Sequence, residues 1–148
     1  MTDDFAPTLA AAYHGLIIAM MAKVAECGFK DMTPAFANLM PLLDPTGKGS
    51  RARELAQRSG VTKQAMSQLV RELERRGYIE QIADPKDTRA KLVRLTVRGI
   101  ELRAACARMR ARLNQAVRRS LGPKRLKRLE RDLQALSAAV GSAVARAG

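Results

Sequence analysis

A chain of 148 residues suits one domain of ordinary size and can bury a core without disulfide or metal staples. Apolar residues make up 47% and aromatics 3%, a mixture that favours helices over a β-sandwich and excludes a wholly disordered tail. Residues 1–50 carry a net charge of −2 and residues 51–148 one of +15; a basic excess confined to one part of a folded chain points to a polyanion partner.

The first helical pattern places Leu9, Tyr13, Leu16 or Ile17, Met20 and Val24 on one face, with Pro7 near its start and Gly28 at its end. Its most apolar run, Gly15 to Ala22, has eight residues against the ~18 that span a bilayer. The chain opens on Met1-Thr2-Asp3-Asp4, acidic where a secretory signal is basic, so a cytoplasmic protein without a membrane partner is expected. A short helix follows, capped by Thr33 with Pro34 at its first position, burying Phe36, Leu39, Met40 and Leu43. Asp44-Pro45-Thr46-Gly47-Lys48-Gly49 is the clearest turn. Ser50 can cap a helix over 51–58, Gly60 breaks it, and Thr62 caps a second one that runs to about Arg76 and exits through Gly77.

Two β-type runs come next, Tyr78 to Ala83 and Lys91 to Thr96, separated by the turn-rich stretch from Asp84 to Ala90. After Gly99 a long helix carries the stripe Leu102, Cys106, Met109, Leu113 and Val117 up to Gly122-Pro123. A last helix carries Leu126, Leu129, Leu133, Leu136 and Val140 and ends in a small-residue tail. Two helices joined through a glycine turn and followed by a β-hairpin describe a winged helix-turn-helix. Ala56, Gly60 and Met66 fill the close-crossing, turn and docking roles of that motif.

The second helix of the pair has a distinctive outward face. Stepping about 100° per residue from Met66 keeps Leu69, Val70 and Leu73 on its side. The same steps put Gln64, Gln68, Arg71 and Arg75 opposite, while Glu72 and Glu74 fall on the flanks. Amides and guanidiniums without a carboxylate suit base edges and phosphates. The bland alternative, an ordinary solvated face, usually mixes both signs.

Residues 33–99 resemble the core of the MarR family of bacterial transcription regulators. The resemblance is carried by Arg53 to Val70, by Leu73-Glu74-Arg75-Arg76-Gly77-Tyr78-Ile79, by Asp84 to Lys91 and by Leu95-Thr96-Val97-Arg98-Gly99. It implies a mainly α protein, a winged helix-turn-helix with flanking dimerisation helices. Residues 1–45 would dimerise and support, 46–99 bind DNA, and 100–148 dimerise. It implies a homodimer on a pseudo-palindromic double-stranded operator, released by a small aromatic or phenolic effector. It further implies that Arg89 enters the minor groove while Asp87 holds its guanidinium, an arrangement in keeping with the attraction of Arg to narrow grooves. The candidate DNA-contacting set is Thr62, Lys63, Gln64, Ser67, Gln68, Arg71, Arg75, Lys86, Asp87, Arg89 and Lys91, with Lys63 reading as a phosphate contact. Tyr13 and His14 are the candidate effector residues. A basic start to the last helix, Lys124-Arg125 then Lys127-Arg128, departs from the acidic start frequent in the family and opposes the helix dipole.

Two cysteines without a CxxC pair and a single histidine leave no metal site, cofactor site or nucleophile–base set, so no enzyme is expected. Cys106 reads as a buried inert thiol, and Cys27, near Lys23 and Lys30, as either a surface thiol or a redox sensor. The competing functional reading is a winged-helix module binding protein or RNA through its basic face.

Overall fold

The computed structural model describes residues 4–147, with side chains to residue 142; the acidic start at 1–3 and the tail side chains lie outside the described residues. The elements are α1 (Ala6–Glu26), α2 (Pro34–Leu39), β1 (Ser50–Arg51), α3 (Ala52–Ser59), α4 (Lys63–Arg75), β2 (Ile79–Asp84), β3 (Asp87–Leu95), α5 (Val97–Leu121) and α6 (Pro123–Ala147). The chain divides into two units, residues up to 109 and from 110 onward, so α5 contributes to both.

In α2 the Thr33 hydroxyl accepts the N–H of Phe36 at 3.3 Å, and Pro34 takes the first helical position. The helix is shorter than its apolar pattern: Met40–Leu42 tighten into a 3₁₀ turn. Pro41 has no N–H to donate, and its ring crowds the preceding turn. Phe36, Leu39, Met40 and Leu43 are nonetheless all buried. Asp44 then closes the glycine turn by accepting from the Thr46 and Gly49 N–H groups.

Ser50 does not cap α3. It is a strand residue paired with Val93, and Arg51 is the N-cap, its N–H donating to Glu54 at 3.3 Å. The third strand of the sheet, β1, explains the difference, because the order β1-β3-β2 needs Ser50 extended. Gly60 turns the chain at φ +70°, and Ala56 and Met66 are buried as the motif requires.

The wing is longer than its sequence pattern, since β3 begins at Asp87 rather than Lys91. Regular pairing runs from Ile79↔Leu95 to Ala83↔Lys91 and then jumps to Asp84↔Asp87, which leaves Thr88, Arg89 and Ala90 as an irregular bulge. At the wing's base the Thr96 N–H donates to the Tyr78 carbonyl at 3.1 Å, and the Thr96 hydroxyl donates to Gly77 and accepts from Gly99 N–H. A Cβ on Gly99 would overlap the Tyr78 carbonyl oxygen, so only glycine lets α5 start there.

One cluster joins Val24, Phe36, Leu39, Leu55, Met66, Leu73, Tyr78, Val93, Leu102 and Cys106. Side chains of this kind each contribute about 1.5–3 kcal/mol when fully buried. Helix α1 gives only Ile17 and Val24 fully to that core and leaves Leu9, Tyr13, Leu16 and Ile18 exposed. The eight-residue apolar run understates this helix. Its 21 residues, with Lys23 and Glu26 as the acid–base charges, are long and apolar enough by length and composition to cross a membrane. A bilayer span would have to surrender the packing of Ile17 and Val24.

Candidate nucleic-acid interface

Helix α4 is held so that one face is committed and the other is free. Met66, Val70 and Leu73 are buried, while Lys63, Gln64, Ser67, Gln68, Arg71 and Arg75 are exposed. Thr62 starts the helix by accepting the Ala65 N–H at 3.1 Å. The Ser67 hydroxyl donates back to the Lys63 carbonyl at 2.9 Å, which leaves its oxygen lone pairs to face outward.

The carboxylates flanking this face are already engaged. Glu74 accepts from the main chain and side-chain amide of Gln81 at 3.1 and 2.8 Å. Glu72 accepts from Arg75 at 2.6 Å and from Arg76 at 2.8 Å, and these donors hold its carboxyl at about 2. Arg75 is therefore exposed but tied along its own helix, unlike Arg71. Among the described residues Lys63, Arg71, Arg89 and Lys91 form no ion pair.

In the wing, without DNA, Asp87 is engaged by groups other than the Arg89 guanidinium. Asp87 accepts the main-chain N–H of Arg89 at 3.2 Å and lies 3.6 Å from the Arg51 guanidinium. Arg89 lies in the irregular stretch of the wing, exposed and without an ion pair among the described residues. Arg51 is the residue that sequence spacing misses. Its Nε donates to Asp84 at 2.8 Å, and Asp84 also accepts the Lys86 N–H at 2.9 Å. The Lys86 N–H and Arg51 hold the Asp84 carboxyl below its ordinary value, and Asp84 in turn raises Arg51. Lys86 sits exposed at the tip, and Lys48 and Arg53 open onto the same cleft beneath it.

A second polar knot ties the wing's base to the loop after α1. Tyr78 is fully buried, its hydroxyl donates to Asp31, and Arg98 lies 4.6 Å above its ring. Burial pushes the Tyr78 phenol up, and the Asp31 carboxylate adds to the shift. Arg76 donates to the Asp31 carbonyl and covers Phe36 at 4.9 Å.

The two candidate effector residues have different surroundings. The Tyr13 hydroxyl donates to Asn38 at 2.5 Å, and Asn38 lines an apolar pocket with Ala35, Leu39, Ser59, Val61, Met66 and Leu69. His14 is exposed, its ring tilted against Tyr13 at 6.3 Å, and it does not line that pocket. Cys106 is buried; Cys27 is exposed, with Lys23 bound to Glu26 at 2.9 Å. Among the described residues no cluster of three His, Cys, Asp or Glu could hold a metal.

Residues 44–90 match the family model described as MarR family, and over this segment the resemblance read from the sequence is borne out. No curated protein matches the chain at a significant level. Among solved structures the chain is similar to MepR of S. aureus in a DNA complex, at 23% identity and a TM-score of 0.77, covering 92% of this chain and 97% of that one. It is also similar to the PcaV transcriptional regulator of Streptomyces coelicolor in complex with its natural ligand, at 23% identity and 0.71, covering 94% of each. The transcriptional repressor CouR bound to a 23-mer DNA duplex matches at 23% identity and 0.70, covering 90% of this chain and 89% of that one. These likenesses establish the winged helix fold.

Proposed function

We infer, from a MarR-family match that falls on the helix-turn-helix and the wing, that this chain is a sequence-specific double-stranded DNA-binding transcription regulator. The observation that carries the reading is the α4 face, where Gln64, Gln68 and Arg71 are exposed, unopposed by a free carboxylate and fixed by a buried opposite side. Set in a major groove, the amides can bond adenine edges and Arg71 can bond guanine or phosphate. Lys63, at the first turn, meets backbone phosphate. Arg89, free of Asp87, reaches a neighbouring minor groove while Lys86 and Lys91 hold the flanking strand. Solved structures of the same fold, MepR and CouR, are DNA complexes, which supports this docking.

The protein works as a homodimer in the cytoplasm. Leu129 and Leu133 are each 41% exposed and Val140 50% exposed on α6, and the outer side of α1 is equally bare. A second copy covering both would give two α4 faces related by a two-fold axis, hence a pseudo-palindromic operator with half-sites about one helical turn apart. A small aromatic or phenolic effector fits the apolar pocket beside Asn38, where the Tyr13 hydroxyl could exchange its bond to Asn38 for one to the ligand. PcaV, of the same fold, was solved with its natural ligand.

Selection of bound sequences from a random duplex library tests the reading. A two-fold motif with half-sites one turn apart is expected. Recovery of no motif, with equal retention of single-stranded RNA, would overturn it in favour of a protein- or RNA-binding module.

A further inference from the structure

Helix α6 has two opposed faces. At about 100° per residue, Leu126, Leu129, Leu133, Leu136 and Val140 gather on one side, and Lys124, Lys127, Arg128 and Arg131 gather on the other. All four cations are exposed, and the only ion pair among the described residues here is Arg128 with Asp132 at 3.8 Å. The first turn of α6 contains no acidic residue, so its cations face the positive end of the helix dipole uncompensated. Gly122 turns the chain at φ +77° immediately before, and Arg118 and Arg119 in the last turn of α5 add two more exposed charges. Apart from Arg128, which reaches Asp132, these side chains form no ion pair among the described residues.

We propose that the cationic face of α6, Lys124, Lys127, Arg128 and Arg131, together with Arg118 and Arg119 just before the Gly122 turn, forms a second nucleic-acid surface that grips duplex phosphates without reading sequence. Lys124 to Arg131 spans about 10 Å of helix, and the same length of duplex axis carries about six phosphates. Four of the six are arginines, whose forked donors match phosphate oxygens. A polyanion is also the partner that compensates cations at a helix start. The ridge stands on α5 and α6 alone and is independent of the operator reading.

The test compares two full-length variants by titration with a random-sequence duplex at 50 and 200 mM salt. One carries Lys124→Gln, Lys127→Gln, Arg128→Gln and Arg131→Gln. The other loses the same charge from the middle of α5 through Arg103→Gln, Arg108→Gln, Arg110→Gln and Arg112→Gln. The ridge variant should keep its thermal stability, because it relieves the dipole, and stay dimeric. Its random-duplex affinity should fall on the order of tenfold or more at the lower salt. The slope of log affinity against log salt should flatten by about 2–3. The α5 variant should lose a fewfold only. Equal losses in the two variants would mean net charge alone matters and would overturn the proposal. Unchanged duplex binding combined with lost binding to phosphatidylglycerol vesicles would overturn it in favour of a membrane surface. Operator preference, read separately with Gln68→Ala, tests the α4 reading whichever way the ridge behaves.

Discussion

The winged segment and helix α6 use similar apolar side chains to opposite ends. Between Ser50 and Gly99 the leucines and their neighbours are packed: Leu55 and Leu73 are fully buried, and Ile79 and Val93 nearly so. On α6 Leu129, Leu133 and Val140 stand in solvent although their spacing is more regular than anything in the wing. Regular spacing identifies a face without identifying its occupant. The wing closes on itself because the ends of β2 and β3 meet the exit of α4 and the start of α5 at the Tyr78–Gly99 junction, and β1 pairs further along β3. A single helix has no such neighbours, and in the proposed homodimer a second copy would cover its stripe.

The largest effect should come from denying α6 its partner. Leu129→Glu with Leu133→Glu should give a monomer by sedimentation and lose operator affinity on the order of a hundredfold, since one half-site then binds alone. A dimer of unchanged stability would remove α6 from the interface. Next comes the wing's own closure. Gly99→Ala should cost about 1–3 kcal/mol in denaturant unfolding, because the added methyl must displace the Tyr78 carbonyl or the start of α5.

Acid should act on the winged unit through three carboxylates. Asp44, Glu72 and Asp84 are all held below their ordinary values, by the Thr46 main chain and hydroxyl, by Arg75 and Arg76, and by the Lys86 N–H and Arg51 respectively. Groups with depressed folded values stabilise above the unfolded value and lose that contribution as pH falls through the folded one. For Glu72 the window runs from 4.5 down to about 2. Thermal unfolding should therefore drop across that range, and the drop should shrink in Glu72→Gln. The same substitution has a smaller effect on DNA: it frees Arg75, so random-duplex affinity should rise a fewfold at low salt.

Much of this was legible in the residues. The α4 face follows from helical spacing and from a core side rich in Met66, Val70 and Leu73, whereas α5 starts at Val97, ahead of the Gly99 boundary that the sequence suggests. What spacing could not show was any partnership between distant positions. Arg51 and Asp84 are 33 residues apart, and Tyr78 and Asp31 are 47 apart, so only the folded chain reveals them. The Asp87–Arg89 clasp came from the resemblance, and spacing alone gave no hint that Asp87 would accept the Arg89 main-chain N–H and lie 3.6 Å from Arg51. The extent of α1 was legible between Pro7 and Gly28; only its apolar length was understated, because counting an unbroken run leaves out the alanines that continue it.

In the proposed docking, α4 reads bases while the wing supplies sequence-blind attraction. Titrating the selected operator and a random duplex at two salt concentrations, for Gln68→Ala and Arg89→Ala, tests it most directly. Gln68→Ala should weaken operator binding by ~1–3 kcal/mol and leave random binding nearly unchanged. Arg89→Ala should weaken both, less so as salt rises. Equal losses on operator and random duplex for Gln68→Ala would contradict base reading by α4.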